Sequence, residues 1–213
     1  MKPQIKILIA DDHLVVREGA TMVLKRIFKE ATIFQAATIS ESRNLIEKEE
    51  IDLLILDAHF PKENSLKFIG QVKKIQPECK VLMFSVLDEE IYAMRFINAG
   101  ADGYLNKLCS ESETQEAVRT VLGTGKYISP IVKEKIIHTV LYKQQVNPFD
   151  ILSNRELEIA KLLVEGNGNL EISNFLNLRK STVSTYKNRI FEKLKVNNIV
   201  TLVSLFQMHG GSS

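Results

Sequence analysis

The sequence predicts a doubly wound α/β domain followed by a small all-α domain. Three observations carry this. Residues 1–123 alternate five short β-rich runs with helical patterns, residues from 151 onward are helical in period throughout, and the charge divides between the same two halves. Residues 1–123 hold 16 Lys and Arg against 19 Asp and Glu, a net of −3, while residues 124–213 hold 12 against 7, a net of +5. The overall +2 therefore conceals two modules of opposite sign. A chain of 213 residues with 45% hydrophobic and 25% charged residues has ordinary globular composition and room for two cores.

The predicted strands are 5–10, 31–37, 52–57, 80–85 and 103–107. Between the first two, Val16, Ala20, Val23, Leu24 and Ile27 recur at helical period and form one apolar stripe. Ser40 and Asp88 stand where N-caps are expected, and Gly100 and Gly123 where helices should stop. Strands that alternate with helices require right-handed crossovers and a parallel sheet covered on both faces. This domain is expected to span 4–123. A connecting segment, 124–150, carries one helix that starts at Pro130 behind a Ser129 cap, then a polar stretch from Gln144 to Pro148. In the last segment, 151–209, Ser153 and Glu156 have capping-box spacing, and further helices are expected near 169–176, 181–194 and 198–208.

No apolar run approaches the roughly 18 residues of a membrane span, and no signal-peptide hydrophobic region follows the first Met, so a cytoplasmic location is expected. Cys79 and Cys109 lack metal-ligand or C-x-x-C spacing and read as buried or neutral thiols.

Asp11 and Asp12 follow the first strand and Asp57 ends the third. In doubly wound sheets ligands bind beyond the carboxyl ends of the strands, where the strand order reverses. Three carboxylates gathered there repel one another unless a hard cation such as Mg²⁺ joins them. Ser85 and Lys107, at the ends of the fourth and fifth strands, add a hydroxyl and an ammonium to the same rim. Metal, hydroxyl and ammonium together suit the oxygens of a phosphoryl group, and Asp57 is the natural nucleophile to accept one.

These stretches resemble the receiver domains of bacterial two-component response regulators, which are flavodoxin-like. The resemblance runs over residues 4–123 and rests on Ile7 to His13, Leu53 to Pro61, Leu82 to Ser85 and Ala99 to Lys107. It implies that Asp57 takes a phosphoryl group from a sensor histidine kinase. It also implies that Asp11, Asp12, Asp57 and the backbone carbonyl of His59 hold Mg²⁺, and that Ser85 and Lys107 bind the phosphoryl group. Tyr104 would be an aromatic switch that turns inward as Ser85 moves to the phosphate. Three positions depart from the family pattern: Asn64-Ser65 replaces the usual Asp-Gly, Val86 a small Ala, and Phe60 a Met.

From Leu152 the chain resembles the LuxR-type helix-turn-helix of the NarL/FixJ subfamily. The matching residues are Leu152, Ser153, Arg155, Glu156 and Glu158, then Gly166, Asn169, Glu171 and Ile172, then Thr182, Val183, Ile190, Lys193, Leu194 and Val196. In the helix expected at 181–194, Val183, Ile190 and Leu194 face inward, while Ser184, Thr185, Asn188 and Arg189 face out. The short polar groups Ser184, Thr185 and Asn188 suit base edges of double-stranded DNA, and Thr182 is a further DNA-binding candidate. The cations Lys180, Lys187, Arg189 and Lys193 suit its phosphates. Arg179, Ser184, Tyr186 and Ile199 depart from the family pattern, so no target sequence carries over. The last helix bears Ile199, Leu202, Val203 and Phe206 as an apolar stripe, and the resemblance implies that part of it pairs two domains in a homodimer on two-fold DNA.

The expected function is a two-component response regulator rather than an enzyme: Mg²⁺-dependent phosphorylation of Asp57 controls sequence-specific DNA binding and transcription. A DNA-binding regulator that needs no phosphate is the alternative. An Mg²⁺-dependent α/β phosphotransfer enzyme ranks below both, because the loop after the first strand has no glycine-rich phosphate cradle.

Overall fold

A strand covered on both faces must be apolar at every position, and Leu53 to Leu56 are all buried. The structure, a computed structural model, describes residues 4–60, 63–141 and 148–209. Its two units divide after residue 142. In the first, β1 (Lys6–Ala10), β2 (Thr32–Ala36), β3 (Leu53–Leu56), β4 (Lys80–Ser85) and β5 (Gly103–Asn106) pair in parallel in the order β2-β1-β3-β4-β5. The connections are α1 (Leu14–Ile27), α2 (Ile39–Lys48), α3 (Ser65–Ile75) and α4 (Glu89–Asn98), and α5 (Glu111–Thr124) follows β5. Order reverses at β1, which lies between β2 and β3, so the crevice for a ligand opens at the carboxyl ends of β1 and β3. One side of the sheet buries Ile7, Ile9, Leu53, Ile55, Leu82 and Leu105 together with Leu24 of α1 and Ala117, Val118 and Val121 of α5.

Two cap assignments change. Helix α2 is capped by Thr38, whose hydroxyl accepts from the Glu41 amide while the Glu41 carboxylate accepts from Ala37. Thr38 wins over Ser40 because it stands three residues before a glutamate, the capping-box spacing. Helix α5 runs through Gly123 and ends at Gly125, whose φ of 90° is the left-handed conformation that closes helices. Asp88 does cap α4, and Gly100, at φ 107°, follows it.

The helix expected in the connecting segment is α6 (Pro130–Leu141), and it packs on α4 within the first unit. Ser129 accepts from the Val132 amide at 3.3 Å and donates to Glu89 of α4 at 3.0 Å. Just before it, Tyr127 bridges to Gly103 and donates its amide to the Asp102 carbonyl at 2.8 Å. A β-carbon at Gly103 would lie 3.0 Å from both Leu82 Cδ1 and the Tyr127 carbonyl, so the crossing requires glycine there. Of the polar stretch that follows, residues 144–147 lie outside the described residues, as does Pro61.

The second unit contains a 3₁₀ turn (Pro148–Ile151), α7 (Asn154–Val164), α8 (Asn169–Phe175), α9 (Lys180–Leu194) and α10 (Ile199–His209). Ser153 and Glu156 form the expected capping box. Leu157, Ala160, Leu163, Ile172, Val183, Ile190 and Leu202 are buried, and the Phe149 and Phe206 rings meet at 4.1 Å. Asn177, at φ 51°, makes the turn between α8 and α9. Of the α10 stripe, Leu202 and Phe206 are buried, Val203 is half-buried, and Ile199 is 37% exposed. No helix among the described residues is long and apolar enough to cross a membrane. Both cysteines are free, and burial pushes the Cys79 thiol up to about 12.

Candidate functional site

The ends of β1, β3, β4 and β5 bring Asp11, Asp12, Asp57, Ser85 and Lys107 to one rim. The Asp57 amide donates to the Ala10 carbonyl at 2.8 Å and the Lys107 amide to the Ser85 carbonyl at 2.9 Å, which fixes neighbouring strand ends against each other. Asp11, Asp57 and Ser85 are buried. Lys107 reaches Asp11 Oδ2 at 2.6 Å and Asp57 Oδ2 at 3.0 Å, one ammonium between two carboxylates. Arg17 of α1 donates to the Asp11 carbonyl at 2.7 Å and tethers that loop from behind.

Burial raises the Asp57 pKa above the usual carboxylate value; Lys107 pulls it back, and the Asp11 charge adds to the rise. The net direction is upward, so one lysine does not offset burial and a like charge together. Asp11 Oδ2 and Asp12 Oδ1 are buried and accept no regular hydrogen bond among the described residues, although Lys107 and His13 approach them. Three carboxylates gathered this closely, two of them with a buried oxygen that accepts no regular hydrogen bond, fit a hard divalent cation. The His59 side chain is exposed, and its backbone amide hydrogen-bonds the Asp57 carboxylate.

Tyr104 is 2% exposed, stacks on Phe96 at 6.0 Å and donates its hydroxyl to the Leu87 carbonyl at 2.6 Å. The Ser85 hydroxyl hydrogen-bonds the same phenol oxygen, while burial raises the Tyr104 pKa. Tyr104 and the rim serine are thus in contact.

The departures from the family pattern acquire reasons. Asn64 caps α3 through the Lys67 amide, and buried Ser65 donates to the Asp57 carbonyl at 2.9 Å and the Ala58 carbonyl at 3.0 Å. Where glycine would leave this loop free, Ser65 ties the start of α3 to the segment that carries Asp57. Ser65→Ala is expected to cost about 1 kcal/mol, the usual net worth of a buried hydrogen bond, as read by urea denaturation. Val86 is 63% exposed and points to solvent, and Phe60 is buried.

In the second unit, Ser181, Thr185, Asn188 and Glu192 lie opposite Val183 on α9, and all four are exposed. Ser184 borders this face on one side and Thr182, Arg189 and Lys193 on the other, while Lys180 and half-buried Lys187 stand farther round toward Val183. Ser181 and the acidic Glu192 at its centre escaped the sequence reading. Both were legible, because the inward positions expected for Val183, Ile190 and Leu194 already place 181 and 192 on the opposite face. Ser184 accepts a hydrogen bond from Asn169 at 2.9 Å, which joins the start of α8 to α9. Thr185 donates to the Ser181 carbonyl at 3.0 Å, and the Lys187 ammonium lies 5.6 Å from the Phe191 ring centroid.

Lys193 has another partner. Its ammonium lies 2.6 Å from Glu156, a carboxylate 4% exposed that also closes the α7 capping box. Burial pushes Glu156 up, but Lys193 and the Ser153 amide more than reverse this and leave it below its usual value. A carboxyl depressed on folding stabilises the fold above its unfolded pKa, and that contribution disappears as pH falls through the folded value. Lys193→Met is therefore expected to destabilise the second unit by about 1–3 kcal/mol at neutral pH, the cost of leaving a buried acceptor short of its donor, and to flatten its loss of stability in acid. Urea denaturation across pH checks both.

Comparison with known proteins agrees with this geometry. Residues 7–119 match the family of response regulator receiver domains, and residues 150–206 match the bacterial regulatory proteins of the luxR family. The chain is 35% identical over 208 residues to response regulator GacA of Pseudomonas syringae, covering 97% of each protein. It is 35% identical over 205 residues to the oxygen regulatory protein NreC of Staphylococcus carnosus, covering 93% of this chain and 94% of that protein. The solved structure of the RcsB response regulator of Salmonella typhimurium aligns at a TM-score of 0.57 and 21% identity, over 96% of this chain and 98% of that one, and shares the fold. The chain belongs to the NarL/FixJ-type two-component response regulators, with a receiver domain ahead of a LuxR-type DNA-binding domain.

Proposed function

We propose that Asp57 accepts a phosphoryl group from a sensor histidine kinase and that this acyl phosphate controls binding of the C-terminal domain to double-stranded DNA. The observation that carries the reading is Lys107, held between Asp11 and Asp57 within a cluster of three carboxylates. In the transfer an Asp57 oxygen forms a bond to phosphorus as the phosphorus–nitrogen bond of the donor imidazole breaks, and that nitrogen keeps the electron pair. Lys107 follows the charge onto the phosphoryl oxygens, and the Ser85 hydroxyl donates to one of them. Asp11, Asp12, Asp57 and the His59 carbonyl would hold Mg²⁺, which supplies charge neutralisation for carboxylates and phosphoryl group alike. Movement of Ser85 toward the phosphate alters the hydrogen bond it shares with Tyr104, and Tyr104 rests against Phe96 of α4 and the Leu87 carbonyl just before that helix.

At the other end, α9 enters the major groove. Thr182, Ser184, Thr185 and Asn188 read base edges, while Lys180, Lys187 and Arg189 contact phosphates. Lys193 serves Glu156 first and reaches DNA only at the cost of that pair. Two copies pair on DNA through the exposed part of α10, in the cytoplasm of a bacterium.

Incubation with acetyl phosphate and Mg²⁺, followed by mass spectrometry, tests the receiver half. Wild type gains the mass of one phosphoryl group and Asp57→Ala gains none; an unmodified wild type overturns the reading. A second reading, DNA binding without phosphate, draws on Tyr104, which is already turned inward. Genome-wide footprints of Asp57→Ala that match wild type would favour it.

A further inference from the structure

The segment that carries Asp57 is held from behind. Buried Ser65, in the first turn of α3, donates its hydroxyl to the Asp57 carbonyl at 2.9 Å and the Ala58 carbonyl at 3.0 Å. The second contact bears on the chemistry. The Ala58 carbonyl and the His59 amide are the two ends of one planar peptide unit, and that amide hydrogen-bonds the Asp57 carboxylate. A hydroxyl behind and a carboxylate in front therefore grip the same peptide. A hydrogen bond accepted by a peptide carbonyl polarises the unit and strengthens its N–H as a donor. Asp57, Ala58 and Ser65 are all buried, where water does not damp the effect. Ser65 stands where the family pattern has the glycine of Asp-Gly, which has no hydroxyl to offer.

We propose that Ser65 is a positioning residue that shortens the life of the phosphorylated state, because through the Ala58–His59 peptide it stabilises Asp57 as a free carboxylate more than as an acyl phosphate. The inference rests on the proposed phosphorylation of Asp57 and adds how long that signal lasts. In hydrolysis a water oxygen forms a bond to phosphorus while the bond from phosphorus to the Asp57 oxygen breaks. The electron pair stays on Asp57 as carboxylate, and both water protons leave with inorganic phosphate. Negative charge thus returns to the group that the His59 amide faces, and a donor fixed where charge develops lowers the barrier. The same amide bonds a full carboxylate more strongly than the neutral carbonyl of an acyl phosphate, so it favours the unphosphorylated protein at equilibrium as well. Uptake consumes the carboxylate that the amide stabilises, so Ser65 does not assist that direction.

Full-length wild type, Ser65→Ala and Ser65→Gly are phosphorylated with acetyl phosphate and Mg²⁺, freed of the reagent, and followed by intact-mass spectrometry as the phosphoryl group is lost. Cooperative strengthening adds about 10–30% to a charge-assisted hydrogen bond, which predicts hydrolysis about two- to fourfold slower in both variants. The initial rate of uptake should equal or exceed that of wild type, which also shows that the variants keep their fold. Hydrolysis at the wild-type rate, or faster, overturns the proposal while leaving phosphorylation of Asp57 intact. Parallel slowing of uptake and hydrolysis overturns it too, because that marks Ser65 as a structural tie whose loss disorders the whole rim. A wild type that gains no phosphoryl mass brings down the phosphorylation reading, and this inference with it.

Discussion

Lys107→Ala slows phosphoryl uptake from acetyl phosphate by about a hundredfold or more, while divalent-cation affinity stays level or rises. The two effects separate because Lys107 has two roles. In the resting protein its ammonium lies between Asp11 and Asp57, at 2.6 and 3.0 Å, where it competes with any cation for the same oxygens. In the proposed transfer it follows charge as it develops on the phosphoryl oxygens, and removal of one such preorganised donor typically costs about 10²–10³ in rate. The same variant in metal-free buffer leaves two buried carboxylates without their cation. A loss of about 3–5 kcal/mol in urea denaturation is expected, recovered in part by Mg²⁺. Stopped-flow uptake measured beside cation titration distinguishes this from simple loss of metal. Unchanged uptake in Lys107→Ala would remove it from the transfer step.

The Lys187→Ala, Arg189→Ala double variant loses operator occupancy across the genome, and the slope of log affinity against log salt falls by about 2. Arg189 borders the exposed face of α9 and half-buried Lys187 stands farther round toward Val183, so the double variant removes two of the proposed phosphate contacts. Neither belongs to the buried Val183, Ile190 and Leu194 that hold α9 in place. Lys187 does cover the Phe191 ring, and its removal costs about 0.5–1 kcal/mol of stability at most. Thermal denaturation should therefore stay near wild type while binding collapses. Occupancy indistinguishable from wild type would place the DNA-contacting surface elsewhere.

Much of the molecule was legible in residue order. Where local chemistry decides, the sequence speaks directly: uninterrupted apolar runs mark strands buried on both faces, and the Ser153 to Glu156 spacing marks the start of α7. The rim residues were legible because each stands at a strand end, and parallel topology carries those ends to one side. The misplaced caps at Ser40 and Gly123 show the limit of that approach. Both are residues of the right type two positions from the actual cap, and the cap is set by Glu41 for Thr38 and by the left-handed backbone of Gly125.

Other features depend on groups distant in sequence. Nothing near Ser65 announces that its hydroxyl binds the carbonyls of Asp57 and Ala58, and Lys193 reads as a DNA contact until Glu156, 37 positions away, arrives at 2.6 Å. The sequence by itself determined the two modules, their opposite charge and the residue types that each site requires, because periodicity, capping and strand-end placement are local properties. Only the tertiary structure decided which cations are already paired, which departures from the family pattern act as ties, and that His13 faces the carboxylates. Those are properties of distance between side chains, and distance is set by how the elements pack.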